Sequence, residues 1–376
     1  LSVTNTISST EEREVAYTNI RDTGDLIISK TVAGTGGEED RAFDFTLTLE
    51  KNEHGANVDD DYKTTLTTTT DEGTTTETGT LTVSNGTASL IQLTHGQTLT
   101  IEGIPEGTKY TVTETDYTAE GYVTTVGTVE TRTATGVIEV EEGTDERPAF
   151  TATFTNERNV GDLTITKELE GTGTDASYPN VQESYHIKVE LTAPKNVDLV
   201  GSYTAPIAEQ SGTLDETATA EGATKTLEFD LKGDQSVEFT GLPEGTTYTV
   251  TETSYTHLGY KEPEFSAGSA TATVGETEDG VKYVTGAIPG EEGKNSVAIT
   301  VANERNTGSL SVEKIVEGTG AQPEKVFTFT LQLTHNDGVQ LKGNYPTTIT
   351  TVNDKGESTT VAGEKLSVGE NGQATF

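Results

Sequence analysis

The chain has 376 residues, with 62 acidic against 24 basic side chains, a net charge of -38 and no cysteine. So much negative charge repels nucleic acid and anionic membrane surfaces, and the missing thiols exclude disulfides, thiol catalysis and cysteine-ligated metals. Hydrophobic residues make up 31% and arrive in short alternating strings among abundant threonine, which predicts an all-β fold of two to three domains. No apolar run approaches the ~20 residues of a membrane span, and the first residues lack the pattern of an export leader. The protein is therefore expected to be cytosolic, or its targeting ends lie outside this segment.

Successive side chains on a strand point to opposite faces, so each predicted strand can be split into two rows. In "VAYTNIRDTGDL", from Val15, the residues Val15, Tyr17 and Asn19 share a face. Next, "DLIISKTVAGTG" from Asp25 puts Lys30 into an apolar row with Leu26, Ile28 and Val32. The strand "FDFTLTLE" follows from Phe43. From Ile101, "IEGIPEGTKYTVTETDYTAEGY" carries a Pro-Glu-Gly turn, built on proline's fixed φ and a glycine able to take positive φ. The strand after that turn aligns Tyr110, Val112 and Glu114. "FTATFTNERNVG" from Phe150 then aligns Phe150, Ala152, Phe154 and Asn156.

The same blocks then recur. "DLTITKELEGTG" from Asp162 carries Lys167, "FTGLPEGTTYTVTETSYTHLGY" from Phe239 carries Glu252, and "VAITVANERNTG" from Val297 carries Asn303. A third lysine block, "SLSVEKIVEGTG" from Ser309, carries Lys314 and is followed by "FTFTLQLTHNDG" from Phe327. The three lysines are 137 and 147 residues apart, which is the period of tandem whole domains rather than of solenoid units. The expected layout is the C-terminal part of one sandwich at 1–22, complete units at 23–159 and 160–306, and the N-terminal part of a further unit at 307–376.

Each complete unit thus sets a lysine on its first strand, a glutamate on a middle strand and an asparagine on its last strand, all in core-facing rows. Buried charges and amides cost several kcal/mol unless they meet, so the three groups are expected to converge. One outcome is a buried Lys-Glu ion pair with the asparagine merely hydrogen-bonded; the other is chemistry among the three.

The order lysine, "YTVTE", then "F-x-N-E" resembles the Cna B-type (SpaA-like) domains of Gram-positive pilins and surface adhesin stalks. The resemblance implies tandem immunoglobulin-like β-sandwiches arranged as an elongated rod. It also implies an intramolecular isopeptide bond in each complete unit, from Lys30 to Asn156 and from Lys167 to Asn303. Glu114 and Glu252 would be the promoters, while Asn19 and Lys314 would lack partners within this segment. Folding would deliver a neutral amine beside a protonated carboxyl, and the acid would polarise the asparagine carbonyl and shuttle protons as ammonia leaves.

Other chemistry finds less support. The five histidines show no paired spacing of a zinc site, Asp59-Asp60-Asp61 lacks the glycine and distal glutamate of a calcium loop, and "GTGG" is not followed by the Lys-Ser/Thr of a phosphate loop. No metal or other cofactor is implied. "TAPKN" resembles the lysine motif by which shaft pilins are joined but departs from it widely, so Lys195 reads as an ordinary loop lysine. Two functions remain: a stalk or fimbrial shaft segment presenting a distal adhesive region, or a module binding host matrix or glycan through sandwich loops. The stalk is the favoured expectation, and enzymatic turnover is not expected. Its partners would be neighbouring repeats of the same polypeptide, and other pilin subunits or a host ligand through regions outside this segment. Its location would be the cell-wall-attached surface of a Gram-positive bacterium.

Overall fold

A computed structural model of the chain describes residues 21–52, 55–140, 147–268, 272–322, 324–335, 337–353 and 355–376. Asn19 lies outside the described residues. Among those described, the only helices are three-residue 3-10 turns, and strands make up the rest of the regular structure, as the threonine-rich alternation predicts. Contacts divide the chain into two compact units. Of the described residues, the first takes those in 21–33, 37–117 and 122–158, and the second those in 34–36, 118–121 and 159–376.

In the first unit the lysine strand, Thr23–Ala33, buries every second residue, Lys30 included. It lies between two neighbours. One is the asparagine strand, Ala149–Glu157, running parallel with Lys30 opposite Phe154 and Val32 opposite Asn156. The other is Gln97–Pro105, running antiparallel. A parallel neighbour needs a long crossover, and here the whole body of the unit supplies it. The opposite face is formed by Phe43–Glu50 paired with the glutamate strand, Lys109–Glu114, which pairs in turn with Thr133–Val137. Gly73–Ser84 pairs into both faces, making one continuous path of strands. Leu26, Ile28, Phe45, Leu47, Val112 and Phe154, each 0% exposed, fill the space between.

The second unit repeats this plan as separate sheets of six and five strands. Its lysine strand, Val160–Glu170, runs parallel to Ser296–Glu304 with Lys167 opposite Val301 and Leu169 opposite Asn303. Its glutamate strand, Thr247–Glu252, pairs with Tyr185–Thr192 across from it, with Glu252 opposite Ile187. Residues 307–376 contribute three isolated two-stranded ribbons, with Ile349, Val352 and Val361 exposed.

The Pro-Glu-Gly turns form as read: the Thr108 N–H donates to Pro105 O at 3.2 Å and the Thr246 N–H to Pro243 O at 3.1 Å, with Gly107 at φ 74 and Gly245 at φ 79. Each turn launches the strand whose tyrosine lies flat across a glycine on the neighbouring strand. A Cβ on Gly136 would come within 2.4 Å of the Tyr110 hydroxyl oxygen, and one on Gly286 within 2.4 Å of the same atom of Tyr248. Both rings are buried and have little room to retreat. Gly136→Ala and Gly286→Ala are therefore expected to destabilise their own unit by about 1–3 kcal/mol, read as a lowered denaturation midpoint. An unchanged midpoint would show that the rings move freely.

Candidate functional site, a buried Lys-Glu-Asn cluster

All six residues singled out in the two complete repeats are buried, none more than 4% exposed. In the first unit the lysine comes from one face and the glutamate from the other, and they meet in the core: Lys30 Nζ is 2.9 Å from Glu114 Oε1. The same oxygen accepts a hydrogen bond from Asn156 Nδ2 at 2.9 Å. The amine nitrogen and the amide nitrogen therefore flank one carboxylate oxygen and lie no more than twice that distance apart. The Lys30 amine is close to the oxygen without hydrogen-bond alignment, and Glu114 Oε2 and Asn156 Oδ1 have no hydrogen-bond partner.

The second cluster has the same members in a looser arrangement. Lys167 Nζ is 3.4 Å from Glu252 Oε1 and donates to two backbone carbonyls, Val301 O at 2.9 Å and Glu168 O at 3.0 Å. Both Glu252 oxygens and Asn303 Oδ1 lack a hydrogen-bond partner. Nine buried side-chain polar atoms are unpartnered among the described residues, and six of them belong to these two clusters. Buried orphans are costly, and their concentration here marks the clusters as functional candidates.

Burial dominates the titration of all four ionisable groups. Removal from water lowers Lys30 and Lys167 to about 8, only partly offset by Glu114 and Glu252 respectively. It raises Glu114, and raises Glu252 to about 7, with the adjacent lysine opposing the rise in each case. An amine that readily loses its proton thus sits beside a carboxyl that readily holds one.

Aromatic rings cover each amine, and the sequence reading missed them as members of the site. Lys30 Nζ lies 4.2 Å from the centre of the Phe43 ring, and Lys167 Nζ lies 4.6 Å from that of Tyr185. Phe43 is met edge-on by Tyr117 and Tyr122, and Tyr185 by Tyr255 and Tyr260. Tyr117 and Tyr255 also accept the backbone N–H of Asp44 and His186 through their hydroxyls. The signal was present in the repeated blocks, where a tyrosine follows each glutamate by three and by eight residues.

Lys314 is not brought into such a cluster. It lies in a stretch without strand, is exposed, and stands over the Phe327 ring at 4.6 Å while donating to Ile315 O. In the two units the lysine strand is held from both sides, and no described strand flanks Lys314 in that way. Lys195 is exposed in a loop. One expected detail differs: at Glu114 the carboxylate faces the amide nitrogen of the asparagine and not its carbonyl oxygen.

The titration has a measurable consequence. In the second unit, below pH 4.5 the folded and unfolded chains both hold the Glu252 proton; between 4.5 and about 7 only the folded chain does, so stability falls as pH rises. Between about 8 and 10.5 only the unfolded chain holds the Lys167 proton, so stability rises with pH. An Asn303→Ala chain, compared with one that also carries Lys167→Met and Glu252→Gln, is expected to show a relative stability minimum between about pH 7 and 8. A relative maximum there, in denaturation midpoints across this range, would contradict the assignment.

Comparison with known proteins follows the same repeat. A family model described as "Domain of unknown function (DUF7601)" matches residues 24–158, 161–286 and 308–376. A curated protein named "Pilin", from Streptococcus pyogenes serotype M1, is 33% identical over 156 residues, covering 39% of this chain and 42% of its own length. The chain thus spans about two fifths of that relative. Among solved structures, the pilus-presented adhesin Cpa is 31% identical over 36% of this chain and 27% of its own, with a TM-score of 0.27. The major pilin from Streptococcus pyogenes is 18% identical over 77% of this chain and 100% of its own, with a TM-score of 0.33. Matched three times along its length, the chain belongs to the DUF7601 family.

Proposed function

We propose that this chain is a structural segment of a bacterial surface pilus or adhesin stalk, each of whose complete units, 23–159 and 160–306, staples itself with a Lys-Asn isopeptide bond. The observation that carries the reading is the single carboxylate oxygen, Glu114 Oε1, within 2.9 Å of both the Lys30 amine and the Asn156 amide nitrogen. Similarity to a protein named Pilin supports the surface location, which by the relative's source is that of a Gram-positive bacterium.

The proton bookkeeping fits this geometry. Lys30 passes one ammonium proton to Glu114 Oε1, which converts the ion pair into a neutral amine and a neutral acid with no change in net charge. The amine attacks Asn156 Cγ, forming the Nζ–Cγ bond, and Glu114 delivers its proton to Nδ2 as the Cγ–Nδ2 bond breaks. The amine's remaining surplus proton returns to the carboxylate, so the products are an amide, ammonia and a protonated Glu114. One oxygen flanked by both nitrogens makes this relay a single atom long. Prior folding supplies the proximity, worth up to ~7–11 kcal/mol of barrier in well-oriented systems.

The product suits a stalk. Lysine and asparagine lie on the first and last strands, so a bond between them carries tension past the 126 positions that separate them in the first unit and the 136 in the second. By the chain-entropy argument, a disulfide closing a loop of about 100 residues stabilises by ~4.7 kcal/mol, and this link would act alike without dependence on redox state.

Intact mass is the direct test: the folded chain is expected to weigh two ammonia molecules less than its sequence, and Glu114→Ala one. An unmodified mass in the parent would refute the cross-links. Under force, the parent units are expected not to extend, whereas Lys30→Ala with Lys167→Ala extends both and exposes them to protease. Parent and variant extending alike would rule out the stalk role while leaving the chemistry standing.

A further inference from the structure

We infer that the two units close in a fixed order, Lys30 to Asn156 well before Lys167 to Asn303. The inference rests on the cross-linking reading above and concerns how the two clusters differ. Burial lowers both lysines, and the two amines differ in how each is held.

The first cluster stands assembled. Glu114 Oε1 is within 2.9 Å of the amine that must give up a proton and of the amide nitrogen that must gain one. The Lys30 ammonium has no aligned acceptor, so its charged form is supported only by the nearby carboxylate and by the face of Phe43. The amine itself has no hydrogen bond to surrender before proton transfer and attack.

The second cluster is parked. Lys167 donates to Val301 O and Glu168 O, and Glu252 Oε1 stands farther away at 3.4 Å. The two carbonyls take two of the three N–H directions of an ammonium, and the carboxylate adds only its charge at 3.4 Å. Hydrogen bonds from a charged donor are about twice as strong as those from a neutral one, so these carbonyls favour the ammonium over the amine. Val301 O belongs to the asparagine strand, two residues before Asn303, and holds the nitrogen against the backbone rather than against the carboxyl that must relay the proton. The Glu252 oxygens are aligned with neither nitrogen.

Timing both bonds from a common start tests the order. Unlinked chain recovered from inclusion bodies in denaturant is diluted to begin folding, sheet formation is followed by circular dichroism, and acid-quenched samples are read by intact mass and peptide mapping. A species lighter by one ammonia should accumulate first, joined at Lys30 and Asn156, with the second bond slower by about tenfold for each charge-assisted hydrogen bond surrendered. Lys167→Ala and Lys30→Ala chains, each left with one reactive unit, should reproduce the fast and the slow phase separately. Equal rates, or the Lys167 bond first, would overturn the order and show that the two carbonyls orient the amine for attack. Folding without loss of ammonia in either unit would overturn the cross-linking reading itself.

Discussion

A lysine amine held in an apolar core against a glutamate is the interaction around which each unit is built. Removing either ion from water costs several kcal/mol, and leaving one without the other costs more than leaving neither. The two sheet faces must therefore close so that one point on each comes within hydrogen-bond distance of the other, which fixes their relative placement more tightly than apolar packing alone. The pair also enters the core without net charge, whichever partner carries the proton. A chain with a net charge of -38 can bury carboxylates in this way without adding to its internal repulsion.

The two units meet this constraint with different surroundings. Over the first cluster, Arg41 lies across the rings of Tyr117, Phe43 and Tyr122, at 4.9 Å from the first and 5.6 Å from each of the others. Over the second, the Tyr185 hydroxyl donates to that of Tyr260 at 2.8 Å, and a buried Arg305 donates to the carbonyls of Gly173, Pro179 and Leu258. Arg305 binds the segment that enters the unit to the one that leaves it, using backbone oxygens where Arg158 uses the Glu38 carboxylate at 2.9 Å. Phe43 and Tyr185 occupy the same place in the pairing, two residues before the partner of the glutamate. The tyrosine brings a hydroxyl that must be satisfied, and its bond to Tyr260 ties down the cover.

Much of this was legible in the alternation of a few strands. Lys30, Glu114 and Asn156 each break an apolar row, and rows of period two assign faces without knowledge of the partner strand. What the alternation cannot give is which strands become neighbours, so the parallel pairing of the first and last strands appeared only in three dimensions. The aromatic cover is hidden for a related reason: Phe43 and Tyr117 are far apart in sequence, and nothing in either strand's own rows brings them together. Which atom of the asparagine faces Glu114 depends on side-chain rotation, to which residue order is blind. Lys314 shows the limit from the other side, because a block with the same leucine, lysine and Gly-Thr-Gly positions as the first two forms no strand there. Strand formation depends on cross-strand and same-face neighbours as much as on the residues themselves.

The parallel register of the outer strands also decides how the units meet a pull. In the first unit, Asp25 lies beside Ala149 at one end of the ladder and Ala33 beside Glu157 at the other, through nine matched pairs. The chain enters along the lysine strand at the first end and departs along the asparagine strand at the second. Tension between those points slides the two strands past each other in shear, so the ladder's hydrogen bonds are strained side by side. An antiparallel pair of terminal strands would enter and leave at the same end and would peel open like a zipper, one bond at a time. The second unit has the same nine-pair arrangement, from Asp162 beside Ser296 to Glu170 beside Glu304. Both units are thus strongest along the line of the chain and weakest across it, a directional resistance set by topology before any side chain is counted.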